Sequence, residues 1–129
     1  LSADYVIGTR GDFRISANEV ALGLKMPRVA AAMLEHRLVP AAYQRAVTLS
    51  EYFDTDAALV AGFFDELVNE NELEPRALAR AAEFAGLDRA AHASSKRRIR
   101  AGLIRRCRRS VPLDLVDAAL LGLRRAGPK

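Results

Sequence analysis

The chain changes character at Pro75. Before it, short β-branched and aromatic runs alternate with short helical stretches closed by Gly or Pro. After it the pattern is helical. Strands and short helices first, then helices over Arg76–Ala85, Arg89–Arg109 and Leu113–Arg125, predict an α/β or α+β unit with a helical tail. Gly86 and Pro112 are expected to separate those three helices. A length of 129 residues suits one domain able to bury a real core. No repeat or low-complexity linker interrupts it, so the division into 1–70 and 71–129 is one of composition within a single unit.

Within the first part, Asp4-Tyr5-Val6-Ile7-Gly8 reads as extended and Thr9-Arg10-Gly11-Asp12 as a turn. Phe13-Arg14-Ile15-Ser16 alternates like a half-buried strand. Pro27 suits a helix start, with Val29, Met33 and Leu34 at helical spacing up to Leu38. Pro40 opens a second helix to Leu49, and Tyr52-Phe53 reads as an extended link. Asp54 or Thr55 is placed to cap a short helix ended by Gly62. Phe63 to Val68 returns to strand.

Composition narrows the function classes. Half the residues are apolar and 28% are charged, the balance of a folded chain rather than a disordered one. No apolar run approaches the roughly 18 residues that span a bilayer, and Leu1-Ser2-Ala3-Asp4-Tyr5 has no signal-peptide character. A single cysteine, Cys107, excludes an internal disulfide and a multi-cysteine zinc site; it fits a reducing compartment, most simply the cytoplasm. His36 and His92 have no cysteine or carboxylate cluster around them, so no metal site is expected.

The net charge of +4 is concentrated between Lys96 and Arg109. That basic helix can be a solvated face, or meet phosphates or a sister subunit, for which arginine is suited. Nucleic acid is not the expected partner, because no aromatic residues interleave the run. The apolar stripe of Val111, Leu113, Leu115, Val116, Leu120, Leu121 and Leu123 is expected to pack on the core or a sister subunit, not a membrane.

Glu19 is the residue with chemical potential. It follows a strand and is surrounded by Ile15, Ala17, Val20, Ala21 and Leu22. A carboxylate desolvated by such neighbours favours its protonated form and exchanges protons nearer neutrality. The alternative is an exposed loop residue or a helix cap.

Three segments carry a resemblance. Ser2-Ala3-Asp4-Tyr5-Val6-Ile7-Gly8 is similar to a strand of pattern A-D-Y-x-I. The run from Phe13 to Gly23, with Glu19 at its centre, is similar to a loop F/I-G-x-x-E-x-x-L-G. Asp56 to Val68 is similar to a helix-to-strand passage A-x-x-x-G-L-V-D-x-V-V. In this order and spacing they resemble the enoyl-CoA hydratase/isomerase (crotonase) superfamily over about the first 70 residues; the later helices match in pattern only.

The resemblance implies the C-terminal part of a crotonase (ClpP/crotonase-like) ββα spiral, followed by a helical trimerisation region. It implies an acyl-CoA substrate that itself carries coenzyme A, with no separate cofactor. Two backbone N–H groups would hold the thioester oxygen while carboxylates move protons beside it. Glu19 falls on the family's first catalytic glutamate and Ser16 on the glycine whose N–H is the second oxyanion donor. Lys96 and Arg97 fall in the helical region expected to meet CoA phosphates and a sister subunit, in a trimer or hexamer.

Arg45 stands where hydratases have a second glutamate, and no Asp or Glu occurs from His36 to Ser50. The glycine-rich stretch after the first glutamate is replaced by Lys25-Met26-Pro27-Arg28-Val29. Hydration needs one group to activate water and one to deliver a proton; shifting a double bond needs a single base. The pattern therefore resembles the mitochondrial-type Δ3,Δ2-enoyl-CoA isomerases, in which Asn18-Glu19, Pro27 and the ungapped run to Arg45 also fit. Glu35 is a candidate substitute second carboxylate, with a solvated helix position as its plainer role. A crotonase domain is about twice this length, so an N-terminal half supplying the first oxyanion N–H is expected beside this chain, and Leu1 is not expected to be a natural start.

Overall fold

A computed structural model describes residues 2–126, with side chains as far as residue 121; Leu1 and the Leu123 side chain of the expected stripe lie outside the described residues. The elements are β1 (Ile7–Thr9), α1 (Arg28–Arg37), α2 (Pro40–Leu49), α3 (Thr55–Ala61), β2 (Glu66–Val68), α4 (Leu73–Ala85) and α5 (Arg89–Ala126), with single 3-10 turns at Val20–Leu22 and Glu70–Glu72. The strands β1 and β2 pair in parallel, Ile7 opposite Glu66 and Thr9 opposite Val68. A parallel pair needs a long crossover, and α1, α2 and α3 fill this one.

The core lies inside that crossover. Leu34, Leu38, Phe53 and Phe63 are buried among Ala17, Ala42, Ala46, Ala58 and Ala61. The alanines let the short helices approach closely, and Phe53 and Phe63 meet with ring centroids 5.5 Å apart. Helix α3 starts as its sequence predicts, because the Asp54 carboxylate accepts the Ala57 N–H at 2.8 Å. It ends at Gly62, whose φ of 95° belongs to the left-handed region. A Cβ there would stand 2.9 Å from the Arg37 carbonyl oxygen, so glycine is required twice over.

Two expected strands shrink. Phe13 to Ser16 forms one antiparallel bridge, Ile15 to Phe53, with both N–H···O bonds at 2.9 Å. No further residue pair extends that ladder, and Phe13 stays exposed. The strand expected over Phe63–Val68 begins only at Glu66: Phe63 still donates its N–H to Ala58 at the end of α3, and Asp65 turns its carboxylate to the Val6 N–H.

The larger correction is at Pro112. The sequence predicts separate helices over Arg89–Arg109 and Leu113–Arg125; the structure has one 38-residue helix with Pro112 inside it. An interior proline loses a hydrogen bond and costs about 3 kcal/mol. Contacts on both sides of it hold α5 against α1. Before the proline, Arg106 pairs with Glu35. After it, the Asp114 carboxylate accepts the Arg28 and Val29 N–H groups at 2.9 and 3.0 Å, capping α1 from another element, and Asp117 pairs with Arg28 at 2.6 Å. Among the described residues no helix is long and apolar enough to cross a membrane.

Candidate functional site

Glu19 sits at the entrance of the 3-10 turn Val20–Leu22, which closes on Gly23 at a φ of 70°. Its carbonyl accepts the Leu22 and Leu24 N–H groups at 3.1 and 2.8 Å, closing the turn that follows it. The side chain is half-buried, and its Oε2 is buried without a hydrogen-bond partner. A buried polar atom left unpaired costs about 1–3 kcal/mol. Such an atom calls for an explanation, and an unpaired carboxylate oxygen is an open acceptor for a proton.

Ser50 anchors this loop, a role the sequence reading missed. It caps α2 with a φ of 51°, the one non-glycine residue in the left-handed region among those described. Buried to 7% exposure, its hydroxyl accepts the Ala21 N–H at 3.0 Å while its carbonyl accepts the Ser16 hydroxyl at 3.3 Å. The two attachment points bracket Glu19. The available signal was a polar residue at the end of a helical pattern where glycine or asparagine is usual.

The Arg45 guanidinium pairs with Glu51 at 3.0 Å and lies 5.8 Å from the centre of the Phe53 ring. Glu35 is engaged by Arg106 across the α1–α5 contact, in agreement with the plainer of its two roles. Ser16 is joined by its hydroxyl to the carbonyl of Ser50, the residue that anchors the Glu19 loop.

Lys96 and Arg97 line a different feature, a cleft of about 670 Å³ between α1 and α5 that also includes His36 and Cys107. No residue of the Glu19 loop lines it. Lys96 donates to Asp4 at 2.5 Å and Arg100 reaches the same carboxylate at 2.8 Å. The Lys96 hydrogen bond, with these charges, holds the Asp4 carboxyl below its ordinary range against the opposing effect of desolvation. His92 lies 3.8 Å from the same group. Among the described residues no group of three or more His, Cys, Asp or Glu is placed to hold a metal ion.

A second polar cluster ties α4 to the sheet. Glu66 accepts from Arg76 at 2.5 Å, from the Tyr5 hydroxyl at 2.9 Å and from Arg80 at 3.3 Å. The Arg76 bond first, then those from Tyr5 and Arg80, lower its pKa to about 2. Arg80 also covers the Tyr5 ring, and Phe84 meets that ring edge-on. This cluster is structural.

No protein-family profile and no curated protein matches the chain. Solved structures do. The enoyl-CoA hydratase EchA3 of Mycobacterium ulcerans is 37% identical, with a TM-score of 0.84 over 90% of this chain and 50% of its own. A Mycobacterium tuberculosis protein described as an enoyl-CoA isomerase is 36% identical, with a TM-score of 0.83 over 88% of this chain and 50% of its own. Human mitochondrial Δ3-Δ2-enoyl-CoA isomerase, 24% identical with a TM-score of 0.79 over 94% of this chain and 46% of its own, shares the fold. The chain thus spans about half the length of the solved structures it matches. Identities of 36–37% and a backbone that superposes on about half of each of these enzymes place the chain in the enoyl-CoA hydratase/isomerase (crotonase) superfamily, with the fold of its C-terminal part.

Proposed function

We propose that the chain is the Glu19-bearing half of an acyl-CoA-handling crotonase enzyme, and that Glu19 is its proton-transfer base. The buried, unpaired Oε2 on a loop pinned at both ends carries this reading. The Ser16 backbone N–H would supply one oxyanion donor, and a companion N-terminal half the other. Glu19 then removes a proton from the carbon beside the thioester and returns it two carbons away, while the oxyanion donors hold the enolate charge. The 1–70 segment carries the catalytic loop and 71–129 the CoA and subunit contacts, with Lys96 and Arg97 offered to phosphate and a trimer or hexamer as the assembly. A cytoplasmic location follows the single free cysteine.

Isomerisation is favoured over hydration by two observations: Arg45, at the place of the second glutamate, is turned to Glu51, and Glu35 is engaged by Arg106. The test is Glu19→Gln in the chain assembled with its companion half. Turnover of a 3-enoyl-CoA should fall by about 10²–10⁴-fold, the usual contribution of a general base, with thioester binding retained. Unchanged turnover removes Glu19 from the mechanism. An assembly that binds the thioester but turns over neither 3-enoyl-CoA nor 2-enoyl-CoA with Glu19 present would make the chain a binding or assembly module.

A further inference from the structure

We infer that Ser50 is a positioning residue for Glu19, and that it acts by capping the 3-10 turn Val20–Leu22 in place of the Glu19 carboxylate. The inference rests on Glu19 as the proton-transfer base and says what keeps that base available. A helical turn leaves its first N–H groups without partners of its own. Here the Leu22 N–H reaches the Asn18 and Glu19 carbonyls at 3.2 and 3.1 Å, and the Ala21 N–H goes to the Ser50 hydroxyl at 3.0 Å. Glu19 stands at the head of the same turn, in helical conformation at φ −55° and ψ −44°, and its side chain makes no capping bond. A carboxylate in that position is ordinarily drawn to free N–H groups of the turn. With the Ala21 N–H already occupied, the Glu19 Oε2 stays buried and unpaired.

The conformation of Ser50 points the same way. Its φ of 51° lies in the left-handed region, where glycine would sit without strain but would bring no hydroxyl. The end of α2 packs on the turn and Ser50 is buried there, so the hydroxyl serves the loop and not solvent. The Ser50 carbonyl accepts the Ser16 hydroxyl at 3.3 Å, so one residue bears both on the base and on the proposed oxyanion donor. Without the hydroxyl, the Ala21 N–H is freed beside a carboxylate. A bond donated to that carboxylate favours its charged form, which makes Glu19 a weaker base and turns it toward its own backbone.

Ser50→Gly and Ser50→Ala, in the chain assembled with its companion half, test it. Both lack the hydroxyl, and only alanine keeps the strain. The kcat on a 3-enoyl-CoA should fall alike in both, by about tenfold, the scale of one hydrogen bond to a charged group, with KM unchanged. Losses that follow stability instead, with the glycine variant spared, would make Ser50 merely structural and overturn the inference. The Ala21 amide, followed by NMR in the same assembly, gives a readout independent of turnover. In the parent its proton shift should not respond to pH across the carboxylate range. In Ser50→Gly it should move as the Glu19 carboxyl titrates. In Ser50→Gly/Glu19→Ala it should be flat again, with faster exchange than in Ser50→Gly. An Ala21 amide that behaves identically with and without Glu19 in the Ser50→Gly background would overturn the inference. So would parental turnover in Ser50→Gly where Glu19→Gln has lost it. Parental turnover in Glu19→Gln is a failure of the base reading, and the Ala21 amide still decides whether Ser50 caps in the place of Glu19.

Discussion

Ser50 concentrates several constraints in one side chain. Its hydroxyl holds Ala21, its carbonyl holds Ser16, and its backbone adopts a conformation that L-residues disfavour by about 1–2 kcal/mol. Ser50→Ala removes the acceptor and keeps the strain. Ser50→Gly removes the acceptor and relieves the strain. The alanine variant should therefore be less stable than the glycine variant by about 1 kcal/mol, as read by chemical denaturation. Both should speed amide exchange at Ala21, which loses its partner in each. Equal stabilities would mean that the left-handed backbone is not strained here. Glu19 stands out as a candidate in the sequence because its neighbours are apolar and its loop resembles a family motif; Ser50 does not, because its partners lie 29 and 34 residues away.

Among the elements, α4 shows how a helix is attached by charge as well as by packing. Arg76 and Arg80 reach Glu66 on β2, and Tyr5 joins them from the N-terminal side. The folded-state pKa of Glu66 is lowered from 4.5 to about 2. A depressed carboxyl contributes stability that is complete above its unfolded value and is lost as pH falls toward the folded one. Thermal melts between pH 6 and 2 should show the parent chain losing this increment below about 4.5, whereas Glu66→Gln starts less stable at pH 6 and falls less steeply in that window. Parallel curves would show that Glu66 does not hold α4. Helix α5 illustrates the opposite lesson about sequence signals. Pro112 is a strong local breaker, and bonds from Asp114 and Asp117 to the start of α1 override it. Those partners lie more than 80 residues apart in sequence.

The whole molecule exposes more surface than its mass warrants. A compact monomer of 14.1 kDa shows about 6,700 Å²; this chain shows 9188 Å². The excess has the size of an obligate interface. Much of it is apolar, with Leu22 and Leu49 exposed beside the Glu19 loop and its anchor and Ile99, Leu115 and Val116 exposed along α5. Part of it is shape, since 38 helical residues extend about 57 Å. Exposed apolar area of this extent drives association. Sedimentation should show the chain assembled at micromolar concentration, with a melting temperature that rises with protein concentration. A 14.1 kDa monomer that binds no hydrophobic dye would contradict this.

The sequence alone determined the first three helices and where they start: α1, α2 and α3 begin at a proline or an Asp54 cap, and α3 ends at Gly62, as local chemistry dictates. It also marked the Glu19 loop, because apolar neighbours and a motif are local properties. Tertiary structure decided what depends on residues distant along the chain. It reduced the Phe13–Ser16 strand to one bridge for want of a continuing partner, and carried α5 through Pro112 by bonds to α1. It placed Ser50 beneath the Glu19 loop, and opened a cleft where two helices separated in sequence meet. Local propensities differ by tenths of a kilocalorie to a few kilocalories per mole, and a few well-placed long-range bonds are enough to outweigh them.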